Sequence, residues 1–480
     1  MATLTFDEAA HLLRRAGFGG NADEIDDLAA RGREGAVDTL INHQQIDNRQ
    51  MDDLLKASFN FSNPTDFAHF NRGEMQRWWF TRMVYTRRPF EEKMTLFWHN
   101  HFATATSKVD DIWMYIQNLM LRQQALSRFD DLLLKVAQDP AMLIWLDGVT
   151  NVRGNPNENF ARELQELFTM GINDVMTGEA NYTEQDVKEI ARAFTGWKFF
   201  HPRISPDPYE YQFILNPAEH DNGTKTIYGQ PGNFDGGDIV TILSARRATA
   251  RFLVWKLFNF FVYPLTTSSA DKQAIEKFAD VYMANNHSIK GLVRAIFTSD
   301  EFFSDRARYG LVKSPVELIV GAVRMLGAHY NPGTSAGQEN ANILAAISIF
   351  LGQELFNPPD VSGWKGGIHW INTSTLLNRF TFADLLTINR TRDLNVPGLW
   401  LAHEQLKSLA RKNTKKTVKR LLAALGPLDV GSSTIRTLRD YLATDDQGNN
   451  VGFATDDLTI DKKMRGLVHL VMCLSEFQVN

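Results

Sequence analysis

Apolar residues recur at helical spacing along most of the chain, and the polar residues between them include helix-starting devices. Thr5 and Glu8 stand at capping-box separation ahead of Ala9, Leu12 and Leu13, with Gly17 placed to end that helix. Asn21 and Glu24 repeat the device for a second helix. Further helical patterns cover about 74–85, 89–105, 109–123, 128–137, 158–170, 184–196, 237–262, 270–285, 314–327, 340–352, 372–387, 403–443 in pieces, and 461–477. Thr183 is a good N-cap with Asp186 three residues on, which makes Asp186 a capping carboxylate. Two stretches break the periodicity. Residues 198–236 are rich in Pro, Gly and aromatics; there Tyr211–Leu215 and Lys225–Tyr228 flank Asp221-Asn222-Gly223, which reads as a β-hairpin or a long ordered loop. Residues 356–371 hold two prolines, three glycines and two tryptophans, too many breakers for a helix. The expectation is an all-α, bundle-like globule of many helices with one compact core and two long ordered loops. Residues 1–390 form its main helical domain and 391–480 a C-terminal helical segment packed on it. The boundary is expected at Arg390–Val396 and Pro397.

Helical geometry also picks out polar residues that are out of place. At about 100° per residue, a helix through 89–105 gathers Phe90, Met94, Phe97, Trp98, Phe102 and Ala105 on one arc. His101 falls inside that arc, whereas His99 falls about 160° away beside Glu92 and Thr95, so the two cannot chelate one metal from a regular helix. On 158–170 the apolar arc is Phe160, Ala161, Leu164, Leu167, Phe168 and Met170, and Glu163 points into it. A carboxylate aimed at a core is costly unless paired or protonated, and such groups are candidates for proton transfer or for structural ion pairs. Arg162 and Glu166 are i, i+4 partners on the polar side. Arg192 faces away from Val187, Ile190, Ala191 and Phe194, within reach of the preceding helix. His220 and Asp221 lie in the first loop with Lys225 four residues on; loops of this kind carry catalytic groups, and Asp221 could equally cap its own turn. Trp197 closes the helix before the first loop; Trp364, His369 and Trp370 lie in the second.

Composition adds mainly exclusions. With 480 residues, a formal charge of −5 and 44% hydrophobic residues, the chain can bury a core unaided and carries no global attraction for nucleic acid. The basic run Arg411, Lys412, Lys415, Lys416, Lys419 and Arg420 reads as a solvated helical face. The single cysteine, Cys473, excludes an internal disulfide and a Cys-rich zinc site, and reads as a small buried hydrophobe. No apolar run approaches bilayer length, and the first residues lack a secretory signal, so the chain reads as cytoplasmic. Phosphate-loop, dinucleotide-binding and HExxH motifs are missing. The sequence assigns no cofactor.

Several segments together resemble the bacterial domain of unknown function 1800 family. They are His11–Gly19, Phe97–Phe102, Asn159–Gly171, Tyr182–Trp197, His220-Asp221 with Lys225 and Gly229, Ala248–Phe252, Leu311–Leu318, and Pro358-Pro359 with Gly363-Trp364. The resemblance brings landmarks without an agreed activity. Its members often resemble exported proteins, which leaves envelope or export open, and tend to be encoded beside sulfatase-like proteins, which hints at polymer chemistry. Where members often carry His, this chain has Phe168.

Three functions follow as expectations. The first is an acid–base enzyme of hydrolase, lyase or epimerase type with Glu163, Glu166, His101, His220 and Asp221 as catalytic groups. In it Arg162, Trp197, Lys225, Trp364 and Trp370 bind a glycan or other polymer, since glycoside cleavage uses paired carboxylates and aromatic platforms suit sugar rings. The second is a metalloenzyme holding zinc, manganese or iron through His101, Glu163, and His220 or Asp221. The third is a non-catalytic binding or assembly protein whose inward polar residues fix one packing.

Overall fold

A computed structural model describes residues 3–59, 71–200, 211–328, 330–387 and 401–480. The chain opens with α1 (Phe6–Ala16), α2 (Ala22–Ala30), α3 (Gly32–Ile41), α4 (Arg49–Ser58), α5 (Arg72–Tyr85) and α6 (Pro89–His101). Next come α7 (Asp111–Gln123), α8 (Phe129–Gln138), α9 (Pro140–Trp145) and α10 (Asn159–Glu163), which runs straight into a π-helical turn, Leu164–Thr169. After α11 (Glu184–Ala193) lie four short strands, β1 (Trp197–Phe200), β2 (Gln212–Leu215), β3 (Lys225–Ile227) and β4 (Gln230–Gly232). The middle of the chain is α12 (Gly236–Ser244), α13 (Arg247–Phe261), α14 (Ser269–Ala284), α15 (Ile289–Phe297), α16 (Pro315–Met325), α17 (Ser335–Phe350) and α18 (Thr373–Thr387). The end is α19 (His403–Leu409), α20 (Thr414–Ala424), α21 (Ser432–Ala443), a short α22 (Asp457–Thr459) and α23 (Arg465–Met472). The protein is mostly all-α.

The expected capping boxes are present: Thr5 with Glu8, Asn21 with Glu24 and Thr183 with Asp186 each exchange both bonds. The 237–262 pattern is two helices, because the Leu243 carbonyl turns to accept from Arg246 N and Thr249 Oγ1. Helices α3, α4, α9 and α15 were not read from the sequence; the first has no side-chain cap and α9 spans six residues.

The hairpin expected across Asp221-Asn222-Gly223 has a different pairing. β2 pairs antiparallel with β1, and β3 pairs with β4 through the two-residue turn Tyr228-Gly229. Both turn residues have positive φ, 48° and 79°, the geometry that matches the twist of a two-residue hairpin. Asp221 closes a local turn of its own instead, accepting from Gly223 N.

One compact core was expected; two apolar clusters are observed, and α6 lies between them. The first gathers α1–α3, α8 and α10–α15, the second α4, α5, α7, α16–α21 and α23. On α6, Phe90, Met94, Phe97 and Trp98 belong to the first and Leu96 to the second. Every α6 residue except Asn100 is buried, including those read as its polar side. Those polar residues are satisfied internally, as burial demands. Glu92 accepts from Trp79 Nε1 at 2.9 Å, from Arg122 Nε and Nη2 at 2.9 and 3.0 Å, and from Arg82 Nε. Thr95 Oγ1 donates to the Glu91 carbonyl.

The C-terminal helices share the second cluster with α5 and α16. The boundary expected at Arg390–Pro397 lies outside the described residues. On α20, Lys415, Lys416, Lys419 and Arg420 are exposed while Val418, Leu421 and Leu422 are buried, as expected of a solvated basic face. Cys473 is half-buried rather than a core residue, with Sγ 3.5 Å from His469 Nε2. Among the described residues no helix is long and apolar enough to cross a membrane.

Candidate functional site

The π-turn decides how the helix that begins at Asn159 presents its carboxylates. After Glu163 the winding widens: Met170 N and Gly171 N both donate to the Gln165 carbonyl, and Thr169 Oγ1 donates to the Leu164 carbonyl. A π-turn shifts the phase of every residue beyond it, and such turns concentrate at functional sites. Phe160, Ala161, Leu164, Phe168 and Met170 stay buried, while Arg162, Glu163, Glu166 and Leu167 come out half-buried. The expectation that Glu163 points into the core assumed uniform α winding. The structure places it at the boundary.

There Glu163 has no hydrogen-bond or ion-pair partner among the described residues. Its carboxyl is held above the usual range first by burial, then by the like charges of Glu166 and Asp360, against the opposing pull of Arg162. Glu166 accepts from the Tyr182 hydroxyl and lies 3.8 Å from Arg162 Nη1. The phenol is in turn pushed up, by burial and then by its bond to Glu166. Arg162 is fully engaged: it meets Glu184 through two bonds of 2.8 Å and Glu158 through one of 3.2 Å.

Asp360 comes from the second loop, which α6 holds in place. His99 Nε2 accepts from Phe356 N at 3.0 Å, and Asn100 brackets Trp364, accepting from its N–H at 2.7 Å and donating to its carbonyl at 3.3 Å. Gly363 is pressed so closely on Asn100 that a Cβ would stand 2.3 Å from Oδ1, and its φ of +75° is also glycine's. Between these clamps Asp360 caps its own turn, accepting from Ser362 N at 2.8 Å, with its side chain exposed. On the other face of α6, His101 Nε2 lies 3.0 Å from the Phe168 carbonyl, tying α6 to the π-turn. The segment Phe97–Phe102 therefore aligns both walls of the site, one through His99 and Asn100 and the other through His101.

The other residues named from the sequence do not join this group. His101 is buried among Phe97, Trp98, Phe102, Phe168 and Phe252, and burial pushes it down to about 3, so it is a neutral positioning group. His220 is buried with Nδ1 2.8 Å from the Thr195 carbonyl. Asp221 is paired bidentately with Arg192, which pulls its carboxyl down to about 2. Arg192 thus reaches the loop, not the preceding helix. The Lys225 ammonium is spent on the Asp221 and Gly223 carbonyls at 2.6 and 3.2 Å. These three residues staple a loop. Trp197, Trp364 and Trp370 are all buried, Trp197 against Phe194 and Phe213 and Trp364 against His99. All three rings are largely covered, so none offers an open face for a sugar ring. His369 donates its backbone N–H to the Gly366 carbonyl at 3.2 Å, and its ring makes no hydrogen bond or ion pair among the described residues. No three His, Cys, Asp or Glu side chains among the described residues are grouped to hold a metal ion, and His101 and His220 are each bonded to a different backbone carbonyl.

Sequence reasoning missed Asp360 and Tyr182. Asp360 follows the Pro358-Pro359 pair in a stretch already marked as an ordered loop; Tyr182 precedes a marked N-cap. Neither position carries a periodicity that says what it faces.

A family model described as "Protein of unknown function (DUF1800)" matches residues 11–479. The chain belongs to the DUF1800 family. Comparison with curated proteins and with solved structures returned no match. In this DUF1800 chain the acidic site draws on four of the segments that carried the resemblance: Phe97–Phe102, Asn159–Gly171, Tyr182–Trp197 and the Pro358–Trp364 loop.

Proposed function

We propose that this DUF1800 chain is an acid–base enzyme that cleaves a neutral glycan or similar polyhydroxylated polymer, with Glu163 as proton donor. The supporting observation is Glu163 itself: a half-buried, unpaired carboxyl whose affinity for its proton is raised by burial and two neighbouring carboxylates. Glu166, held by Tyr182 and Arg162, is one of the two neighbours that raise the proton affinity of Glu163. Asp360, exposed on the opposing loop, is the base for an attacking water. The bond between the anomeric carbon and the leaving oxygen breaks as that oxygen takes the Glu163 proton, and the water oxygen bonds the carbon as Asp360 takes its proton. The charge of the site selects the substrate. Arg162, the cation beside these carboxylates, is neutralised by Glu158, Glu166 and Glu184, so a polyanion is repelled.

The test is release of reducing ends from a panel of neutral polysaccharides, with polyuronates and sulfated polymers alongside. Glu163→Gln is expected to remove about 100-fold or more of the rate while leaving polymer binding intact. Equal turnover by wild type and Glu163→Gln overturns the assignment. Binding of a polymer with no turnover by wild type leaves the chain a binding protein.

A further inference from the structure

A cavity of about 560 Å³ lies between α1, α2, α3 and the C-terminal end of α16, built from residues the acidic site does not use. Its size suits a small ligand. Leu13, Leu28, Leu40, Val84, Pro89 and Val323 line it with apolar surface. Polar groups converge at Arg324, Arg87 and Glu24.

Arg324 is the unusual member. Its side chain is only 8% exposed, and its hydrogen bonds go mainly to neutral acceptors: Nη1 reaches the Val84, Thr86 and Met83 carbonyls at 2.8, 3.0 and 3.3 Å. Nε is buried with no partner among the described residues. Among the described residues its one counter-charge is Glu24, whose Oε1 stands 3.5 Å from Nη2 while Oε2 is committed to the Asn21 capping box at 2.9 Å. Carbonyls satisfy the donors of a guanidinium but not its charge, and a buried charge without full compensation is costly. Arg87 is exposed, and its guanidinium makes no hydrogen bond or close ion pair among the described residues, though its charge is felt by Asp47. Asp27 and Arg31 neutralise each other at 2.9 Å. The lining therefore carries a net positive charge beside an apolar floor.

We propose that this cavity binds a small amphipathic carboxylic acid, its apolar chain lying against α1, α2, α3 and α16 and its carboxylate facing Arg324 and Arg87. The ligand supplies the anion that Glu24 provides only in part, and its chain covers the leucines.

The full chain is titrated with carboxyl-labelled ¹³C-decanoate below its micellar concentration, following the carboxyl resonance, with decanol measured by its displacement of decanoate. Saturable decanoate binding is expected, with decanol at least tenfold weaker. Arg324→Met and Thr39→Trp, the latter filling the mouth, should each weaken decanoate at least tenfold, and Arg87→Ala severalfold. Decanoate that does not saturate, decanol binding as well as decanoate, or binding indifferent to Thr39→Trp overturns the proposal. Should Arg324→Met fail to fold, Arg87→Ala and the decanol comparison decide it.

Discussion

Replacing Glu163 by Gln tests whether its carboxyl is strained for chemistry or satisfied for structure. In the fold it has no partner, and burial together with Glu166 and Asp360 raises its proton affinity. A carboxyl whose folded pKa lies above the unfolded one gives stability that is fully present below the unfolded value, near 4.3, and lost as pH rises through the folded value. At neutral pH the charged Glu163 is therefore a net cost, and Gln, which keeps the shape without the charge, relieves it. Each pK unit corresponds to about 1.4 kcal/mol, but solvent screening at this half-exposed site reduces the gain to about 1 kcal/mol or less. At about 2.1 cal/mol/K per residue, the unfolding entropy of 480 residues is roughly 1 kcal/mol/K, so the melting temperature should rise by about 1 °C at pH 7.5. Near pH 4 wild type and variant should coincide. The assay is paired calorimetric scans from pH 4 to pH 8 at one scan rate. A variant destabilised at every pH, as loss of a buried ion pair would cause, refutes the reasoning.

Other perturbations have equally definite signs. Burial pushes both His99 and His101 down to about 3. Depressed histidines contribute stability that is whole above about 6.5 and lost as pH falls toward 3, up to about 4–5 kcal/mol each. Urea midpoints should therefore fall steeply below pH 6, and His101→Phe should flatten that slope. Glu92→Gln leaves Arg82 and Arg122 without their shared buried carboxylate and should cost about 3–5 kcal/mol, read from denaturant unfolding. Asn100→Ala releases Trp364 N–H and carbonyl and should cost about 1–3 kcal/mol. It should also loosen the 356–364 loop, detectable as faster hydrogen exchange at Trp364; unchanged exchange would show that Asn100 does not hold Asp360's loop.

The amino-acid sequence by itself determined the local elements. Capping at Thr5, Asn21 and Thr183 is decided within four residues, so those helices begin where the sequence says. Gly363 and the turn formers around it likewise mark an ordered, non-helical segment before any neighbour is known. It also marked Arg162 and Glu166 as partners on the polar side of one helix, and Glu163 as a carboxylate out of place on its apolar side. What each of these faces was decided by tertiary packing. Amphipathic reading assumes one buried side per helix, and α6 has two, so Glu92, Thr95 and His99 point into a second core, not toward water. The hairpin changed partners because the positive-φ turn at Tyr228-Gly229 is a shorter closure than the one at Asp221-Asn222-Gly223. Asp360 comes near enough to act electrostatically on Glu163 only because His99 and Asn100, more than 250 positions away along the chain, fix the loop that carries it. Cooperation across such separations leaves no period in the sequence, since it is set by which surfaces remain to be buried once the helices have formed.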